Sequence, residues 1–207
     1  MPLFKQFEIV PNTFLLIWEI VESEKQLLEN LKSSNRFNLK LSQLKTSSHR
    51  KQFLSNLQLL NFKNISFEEL EYNKNGKPEL KNKFISMSHS FNYSAVTISN
   101  KKVGIDVEKF RSKISKISNK FISTREIGLI GNLSIENLTK VWTIKEAVYK
   151  AFGISGIDFK NNINIESINS AFTKAIVKIN YQDKCETYNI EIIKFSQYIC
   201  SSAIQLT

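Results

Sequence analysis

The sequence predicts an α+β fold. Helical periodicity comes first and a run of alternating strands follows, and this order occurs twice along the chain. With 42% hydrophobic and 23% charged residues, the 207-residue chain has the composition of a folded globular protein with one large core or two small ones. We therefore expect two halves, residues 1–102 and 103–207.

The first half is predicted to begin with a strand at residues 14–20, an apolar run that is far too short to span a membrane. Helices are expected around residues 22–32 and 41–60, because apolar residues recur there at helical spacing. A strand at residues 84–88 then leads into a predicted hairpin.

The hairpin is predicted to join residues 93–99 to the segment that begins at Gly104, through the turn-like Asn100-Lys101-Lys102. Beyond it we expect a helix around residues 114–121, another that begins at Ser123 or Thr124, and a long helix that stops at Gly153. Strands are predicted at residues 171–179, 188–193 and 197–204.

Two short strings carry most of the chemistry. The first, Gly104-Ile105-Asp106-Val107-Glu108-Lys109, is predicted to be a strand, so Asp106 and Glu108 point to one face. The second runs from Trp142 to Lys150 on the long helix, where Glu146 and Lys150 share a polar edge. Forty positions separate Asp106 from Glu146.

Lys145 is unusual because its spacing places it inside the apolar stripe of that helix. Such a lysine either extends to water or meets an anion in a cleft. Magnesium prefers oxygen ligands, and Asp106, Glu108 and Glu146 would supply carboxylates while the lysines neutralise phosphate. The alternative is a solvated Glu and Lys pair on the helix and an exposed acidic strand edge.

The two strings together resemble the paired signature of the 4′-phosphopantetheinyl transferases, in particular the larger surfactin-synthetase-activating type. The resemblance implies two similar halves in a pseudo-twofold arrangement, with the ligand cleft between them. It also implies a coenzyme A nucleotide side in the first half, and magnesium with the catalytic helix in the second.

Upstream segments extend the resemblance. The segment Asn75-Gly76-Lys77-Pro78 and the strand-like run that ends in Ser88-His89-Ser90 look like the family's Gly-Lys-Pro and Ser-His-Ser motifs. His49-Arg50 resembles the basic pair that opens its first long helix. The coenzyme A ligands so implied are Arg50, Lys77, Pro78, Ser88, His89, Lys145 and Lys150. Taken alone, Lys77 is a loop tip, His89 a satisfied surface residue and Arg50 a solvated helix residue.

The resemblance implies transfer of the phosphopantetheine arm of coenzyme A to a serine of an apo carrier protein, with release of 3′,5′-adenosine bisphosphate. Mg²⁺ would lie on Asp106, Glu108 and Glu146. Lys150 would stabilise or protonate the leaving group, and Lys145 would hold the phosphate that bears the arm. Glu146 or Glu126, which resembles a further acid of the family, would take the serine proton directly or through a metal-bound water, and the sequence does not separate these possibilities.

The net charge of +10 suggests anionic partners such as coenzyme A and an acidic carrier. A basic nucleic-acid-binding protein is the alternative, but the lysines are spread over the chain, so we expect no nucleic-acid partner. A magnesium-dependent nuclease or phosphodiesterase is the rival enzyme. Cys185 and Cys200 lack metal or disulfide spacing, so a reducing cytoplasm is expected. We also expect a monomer and, because the apolar run at residues 14–20 is too short to span a bilayer, no membrane association.

Overall fold

Two antiparallel sheets, each packed against a long helix, organise the protein. The computed structural model describes residues 3–206, and the chain divides into two units, Met1–Asn100 and Lys101–Thr207. Both units mix helices with antiparallel strands, which confirms the predicted α+β class. The pseudo-twofold arrangement and the functions assigned to the two halves remain predictions.

Unit 1 contains a four-stranded sheet in the order β1-β2-β6-β5 and a two-stranded ribbon of β3 and β4. Its elements are β1 (Leu3–Val10), β2 (Thr13–Glu19), α1 (Glu24–Leu28), α2 (Asn35–Ser42), α3 (Ser47–Asn61), β3 (Glu71–Tyr72), β4 (Pro78–Glu79), β5 (Phe84–Ser90) and β6 (Tyr93–Ser99). Helix α3 packs on β2 and β6, where its fully buried Leu54, Leu59 and Leu60 join the core.

The helix predicted at residues 41–60 is confirmed for most of its length as α3, but its predicted start is wrong, because a separate helix, α2, occupies the first positions of this region. Helix α2 ends at Ser42, and α3 begins after Thr46, whose side chain accepts a hydrogen bond from the His49 amide. The apolar spacing continues through the break, so periodicity alone does not reveal it. The helix predicted at residues 22–32 is also shorter, covering only Glu24–Leu28.

Unit 2 contains a five-stranded sheet in the order β7-β11-β10-β9-β8. Its elements are β7 (Val103–Lys109), α4 (Lys113–Ile117), α5 (Thr124–Ile130), α6 (Ile135–Phe152), β8 (Ile163–Ile168), β9 (Lys174–Tyr181), β10 (Lys184–Phe195) and β11 (Tyr198–Gln205). A 3₁₀ turn at Ser118–Lys120 replaces the second half of the helix predicted at residues 114–121.

The hairpin predicted between residues 93–99 and the strand of Asp106 is also wrong. Strand β6 pairs with β2 and β5, whereas β7 pairs with β11. The chain does turn at residues 100–102, but the strands on either side of that turn belong to different sheets. Strands β1 and β8 were not predicted from the sequence.

Helix α6 is the central element of unit 2. Ser134 caps its start by accepting a hydrogen bond from the Asn137 amide, and Gly153 ends it in the left-handed conformation with φ of 73°. Its apolar face packs mainly on β7 and β11. The predicted stop at Gly153 is confirmed, and the end of the helix, from Ala147 to Ala151, lies against the strand that carries Asp106.

The two cysteines are free thiols in different surroundings. Cys185 is exposed on β10, near the turn that follows β9, and Cys200 is buried on β11. Burial raises the pKa of the Cys200 thiol well above its usual range. None of the helices within residues 3–206 has the length and apolarity that a bilayer crossing requires.

Candidate active site

Strand β7 and helix α6 bring the two signature strings together. Ile105 and Val107 are fully buried in the core, and Asp106, on the opposite face of the strand, is 5% exposed. The ammonium group of Lys150 donates a hydrogen bond to Asp106 Oδ1 at 2.7 Å and another to the Ile105 carbonyl at 3.1 Å. The lysine at the end of the helix is therefore held on the first acid of the strand.

Glu146 lies one helical turn before Lys150 and is partly buried. Burial raises its pKa from 4.5 to about 7, the negative charges of Asp106 and Glu108 contribute to the rise, and Lys150 opposes the shift. The three predicted metal ligands therefore interact electrostatically, although they come from two elements forty positions apart.

Glu108 borders a pocket of about 160 Å³ at the end of β7. Its carboxylate accepts a 3.5 Å hydrogen bond from Arg111. The pocket is lined by Glu108, Lys109, Arg111, Lys113, Ile114, Ile117, Thr139 and Trp142. Three cationic side chains in one pocket beside an acid suit a phosphate-bearing ligand. Lys109 closes the first string, whereas Arg111 and Lys113, which follow it directly, were not predicted as site residues.

The donor chemistry fits magnesium, because the carboxylates of Asp106 and Glu108 raise the pKa of Glu146 and a divalent cation would stabilise such a group of hard oxygen ligands. Within residues 3–206, however, no three acidic, histidine or cysteine side chains are already arranged as a metal-binding group. The charges of Asp106 and Glu108 act on Glu146, but the three carboxylates are not arranged as a coordination shell. The assignment of Asp106, Glu108 and Glu146 to Mg²⁺ therefore stays a prediction.

Lys145 meets an anion, and that anion is a carboxylate of the protein. Its ammonium group lies 2.8 Å from Glu126 Oε1 and 2.9 Å from Oε2, and it also donates to the Phe159 carbonyl at 2.9 Å. Lys145 is 0% exposed and Glu126 is 1% exposed. This ion pair joins α6 to the start of α5 inside the core of unit 2.

Glu126 is fully occupied by donors. Its Oε1 accepts from the Ile165 amide of β8 at 3.0 Å, and its Oε2 accepts from the amide and the hydroxyl of Ser123. Ser123 is the N-cap of α5, and its hydroxyl accepts from the Glu126 amide, so the two residues form a capping box. Burial lowers the pKa of Lys145, and the charge of Glu126 opposes that shift. These contacts favour a structural role, so the predicted base function of Glu126 and phosphate contact of Lys145 remain predictions.

In unit 1, Arg50 is bound to an acid of its own chain. Its guanidinium donates to both oxygens of Glu24, at 2.8 and 3.0 Å, and to the carbonyls of Leu44 and Lys45. These bonds lower the pKa of Glu24 to about 2. The pair connects α1 to the start of α3, and each of its two side chains is 30% exposed. An approaching phosphate would therefore compete with Glu24 for the Arg50 guanidinium.

The predicted turn at Asn75-Gly76-Lys77-Pro78 joins β3 to β4. The side-chain oxygen of Asn73 accepts from the amides of Asn75 and Lys77, and Gly76 has φ of 76°. On β5, His89 is exposed and Ser88 is buried. Their predicted roles as coenzyme A ligands, like those of Lys77 and Pro78, stay predictions.

A second cavity lies in unit 1 and has a volume of about 500 Å³. It is bordered by α2, the end of α3 and the segment around Phe67, and none of the predicted site residues lines it. The larger cavity is therefore not the candidate active site. The smaller pocket beside Glu108 has the acidic and basic side chains that the predicted phosphate chemistry requires.

Comparison with known proteins points to the same region. Residues 102–203 match the family model of the 4′-phosphopantetheinyl transferase superfamily. The matched segment contains the acids of β7, the whole of α6 and the Glu126–Lys145 pair. The match supports phosphopantetheinyl transfer as the general activity, and it does not confirm the surfactin-synthetase-activating type. No curated protein gives a significant match to the chain.

Proposed function

We propose that the protein is a magnesium-dependent 4′-phosphopantetheinyl transferase that moves the phosphopantetheine arm of coenzyme A to a serine of an apo carrier protein. One observation carries the proposal beyond the family match. Lys150 donates to Asp106 at 2.7 Å, while Asp106 and Glu108 raise the pKa of the neighbouring Glu146. This combination of acids and a lysine is what transfer from a diphosphate needs.

In the proposed reaction the serine oxygen forms a bond to the phosphorus that carries the arm. The bond between that phosphorus and the bridging oxygen of the diphosphate breaks, and 3′,5′-adenosine bisphosphate leaves with the bridging oxygen. The serine proton passes to a base of the protein. The chain must therefore supply a proton acceptor and positive charge at the departing oxygen.

Glu146 is favoured over Glu126 as the acceptor. The pKa of Glu146 is raised to about 7 when no cation is bound, and bound Mg²⁺ would lower it, so access to the side chain rather than its pKa favours Glu146. Glu126 is 1% exposed, and both of its oxygens already accept hydrogen bonds. A serine hydroxyl of another protein would reach Glu146 more easily, because that side chain is only partly buried.

Lys150 supplies positive charge at the departing oxygen. Its side chain is 28% exposed while it contacts Asp106, so its ammonium group can also contact a ligand. Lys109, Arg111 and Lys113 border the pocket beside Glu108 and add cations for the remaining phosphate oxygens. Mg²⁺ held by Asp106, Glu108 and Glu146 would polarise the diphosphate and offset charge on the leaving phosphate.

The test is incubation of the purified protein with coenzyme A and a panel of apo carrier domains, with and without MgCl₂. Intact-mass spectrometry should show one carrier gaining a single arm only when magnesium is present. Asp106→Asn and Glu146→Gln should each reduce the rate by about 10²-fold or more, as expected when a group that acts on the transition state is removed. Glu191→Gln, which alters a surface pair with Lys174, should leave the rate unchanged.

A parallel incubation with single- and double-stranded nucleic acid tests the rival enzyme. Magnesium-dependent phosphodiester cleavage that Glu146→Gln abolishes, with no modified carrier, would replace the proposed transferase by a nuclease. Magnesium binding is checked separately by thermal denaturation. Added MgCl₂ should raise the Tm of the wild type more than that of Asp106→Asn.

A further inference from the structure

Helix α6 rests directly on the backbone of β7 at Gly104. A Cβ atom at this position would lie 1.9 Å from the Ala147 carbonyl oxygen and 2.6 Å from the Ala151 amide nitrogen. Gly104 is not among the glycines with positive φ, so backbone conformation does not explain why glycine stands here. The position requires glycine because the helix backbone occupies the space of a side chain.

This contact lies beside the candidate site. Gly104 comes two positions before Asp106 on β7, and its two helix neighbours, Ala147 and Ala151, each lie one position away from Glu146 or Lys150. The hydrogen bonds of Lys150 to the Ile105 carbonyl and to Asp106 span the same gap between helix and strand. The separation of α6 from β7 therefore sets the distance from Lys150 to the acid.

A second contact fixes the helix along the sheet. The hydroxyl of Thr143 lies 2.8 Å from that of Ser201, and both residues are fully buried. Ser201 is the direct partner of Asp106 in the ladder between β11 and β7. The lack of a side chain at Gly104 thus allows the close approach of α6 to β7. The Thr143–Ser201 pair restricts sliding and rotation of the helix on the sheet.

We propose that Gly104 is a positioning residue of the transferase, and that Thr143 assists it through Ser201. By admitting the helix backbone, Gly104 holds Lys150 and Glu146 at the spacing from Asp106 that the reaction needs. The inference rests on the proposed function, because it assigns these residues to the site that would carry out the transfer. A glycine that served packing alone would affect stability and leave the geometry of the site unchanged.

The test compares Gly104→Ala with Gly128→Ala. Gly128 lies on α5, and a Cβ atom added there would have no neighbouring atom within 4 Å, so the same substitution adds a methyl group without a clash. The first readout is the rate of Lys150 acetylation, measured peptide by peptide by mass spectrometry in folded protein. We expect Lys150 to react several-fold faster in Gly104→Ala, because its contacts with Asp106 and Ile105 are lost, and at the wild-type rate in Gly128→Ala.

The second readout is transfer to the carrier. In Gly104→Ala we expect kcat to fall by about 10²-fold, the loss typical of a catalytic group displaced by about 1 Å, with the KM for coenzyme A changed less than about threefold. Gly128→Ala should keep both constants. A folded Gly104→Ala protein with wild-type Lys150 acetylation and wild-type kcat would overturn the proposal.

Thr143→Val decides the question if Gly104→Ala does not fold. Valine keeps the shape of threonine but removes the bond to Ser201 and the bond within the helix to the Lys140 carbonyl. The matched control is Thr97→Val, whose hydroxyl has no hydrogen-bond partner in the described part of the chain. Faster Lys150 acetylation in Thr143→Val alone supports the proposal, and equal acetylation in both variants refutes it. The acetylation comparison holds even if the wild type modifies no carrier, so failure of the proposed function is recognised separately.

Discussion

Glu146 shows how a single residue combines burial with like charge. Its carboxyl group lies near Asp106 and Glu108 and carries a pKa of about 7. An acid whose pKa is higher in the folded protein than in the unfolded chain costs stability when it ionises. The cost is complete above about pH 7 and disappears as the pH falls below the ordinary value of 4.5. Ionised Glu146 therefore costs folding stability when no cation is bound.

Glu146→Gln should accordingly stabilise the protein at pH 8 in the presence of EDTA. The expected gain is about 1–3 kcal/mol in the free energy of unfolding, and it should be much smaller at pH 5, where Glu146 is protonated in the folded protein and is becoming protonated in the unfolded chain. Urea denaturation at the two pH values measures it. Glu191→Gln is the control, and an equal gain at both pH values would contradict the assigned pKa.

At the scale of elements, the Lys145–Glu126 pair connects α6, α5, β8 and the Phe159 loop. Burying two charges is costly, and the cost is offset here because nearly every donor and acceptor is satisfied. The pair holds the middle of α6, at Lys145, against the first turn of α5, at Glu126. It is therefore expected to matter first for folding and only then for activity.

Lys145→Met should lower the free energy of unfolding by about 3–5 kcal/mol, because it leaves Glu126 buried without its cation. The double variant Lys145→Met/Glu126→Gln should recover part of the loss, since the charge is then removed from both sides. Denaturation curves of the single and double variants give the coupling energy. Unchanged stability together with a large rise in the KM for coenzyme A would instead assign Lys145 to phosphate binding.

Variants of the Arg50–Glu24 pair test whether unit 1 binds the nucleotide part of coenzyme A. An ion pair on the surface contributes little to stability, so the fold should tolerate its loss. If Arg50 binds a phosphate of coenzyme A, Arg50→Gln should raise the KM for coenzyme A, whereas Glu24→Gln should lower it because the competing carboxylate is gone. Steady-state kinetics on both variants measure this, and parallel changes in KM would contradict the assignment.

The sequence predicted those elements whose ends carry a local signal. The start of α5 at Ser123 and the end of α6 at Gly153 are capping features that neighbouring residues determine. Strand β1 was missed because register shifts after Leu3 and Glu8 interrupt its alternation. The pairing of β7 with β11, the Lys145–Glu126 pair and the contact at Gly104 join residues far apart in sequence, so no local pattern shows them.

For the whole molecule, the net charge of +10 is expected to affect the rate at which the protein associates with an acidic carrier protein. Part of this excess surrounds the pocket beside Glu108, where Lys109, Arg111 and Lys113 lie. A basic surface attracts an acidic partner over distances comparable with the Debye length, about 10 Å at 0.1 M salt. Encounter should therefore depend on ionic strength more than the chemical step does.

We expect kcat/KM for an acidic apo carrier to fall about tenfold or more between 20 and 300 mM NaCl, while kcat changes little. Initial rates at several salt concentrations, with coenzyme A saturating, measure this. Lys113→Glu should weaken the dependence, and Lys174→Glu, placed on β9, serves as the control. A kcat/KM that does not vary with salt would show that charge does not guide the encounter.

The contrast between the two thiols has a practical consequence. A maleimide reagent at neutral pH should couple to the exposed Cys185 and spare the buried Cys200, whose thiol is held protonated. The unaltered chain thus offers one chemical handle near the β9–β10 turn. A fluorophore placed there would report carrier docking by anisotropy, in real time and without mutagenesis.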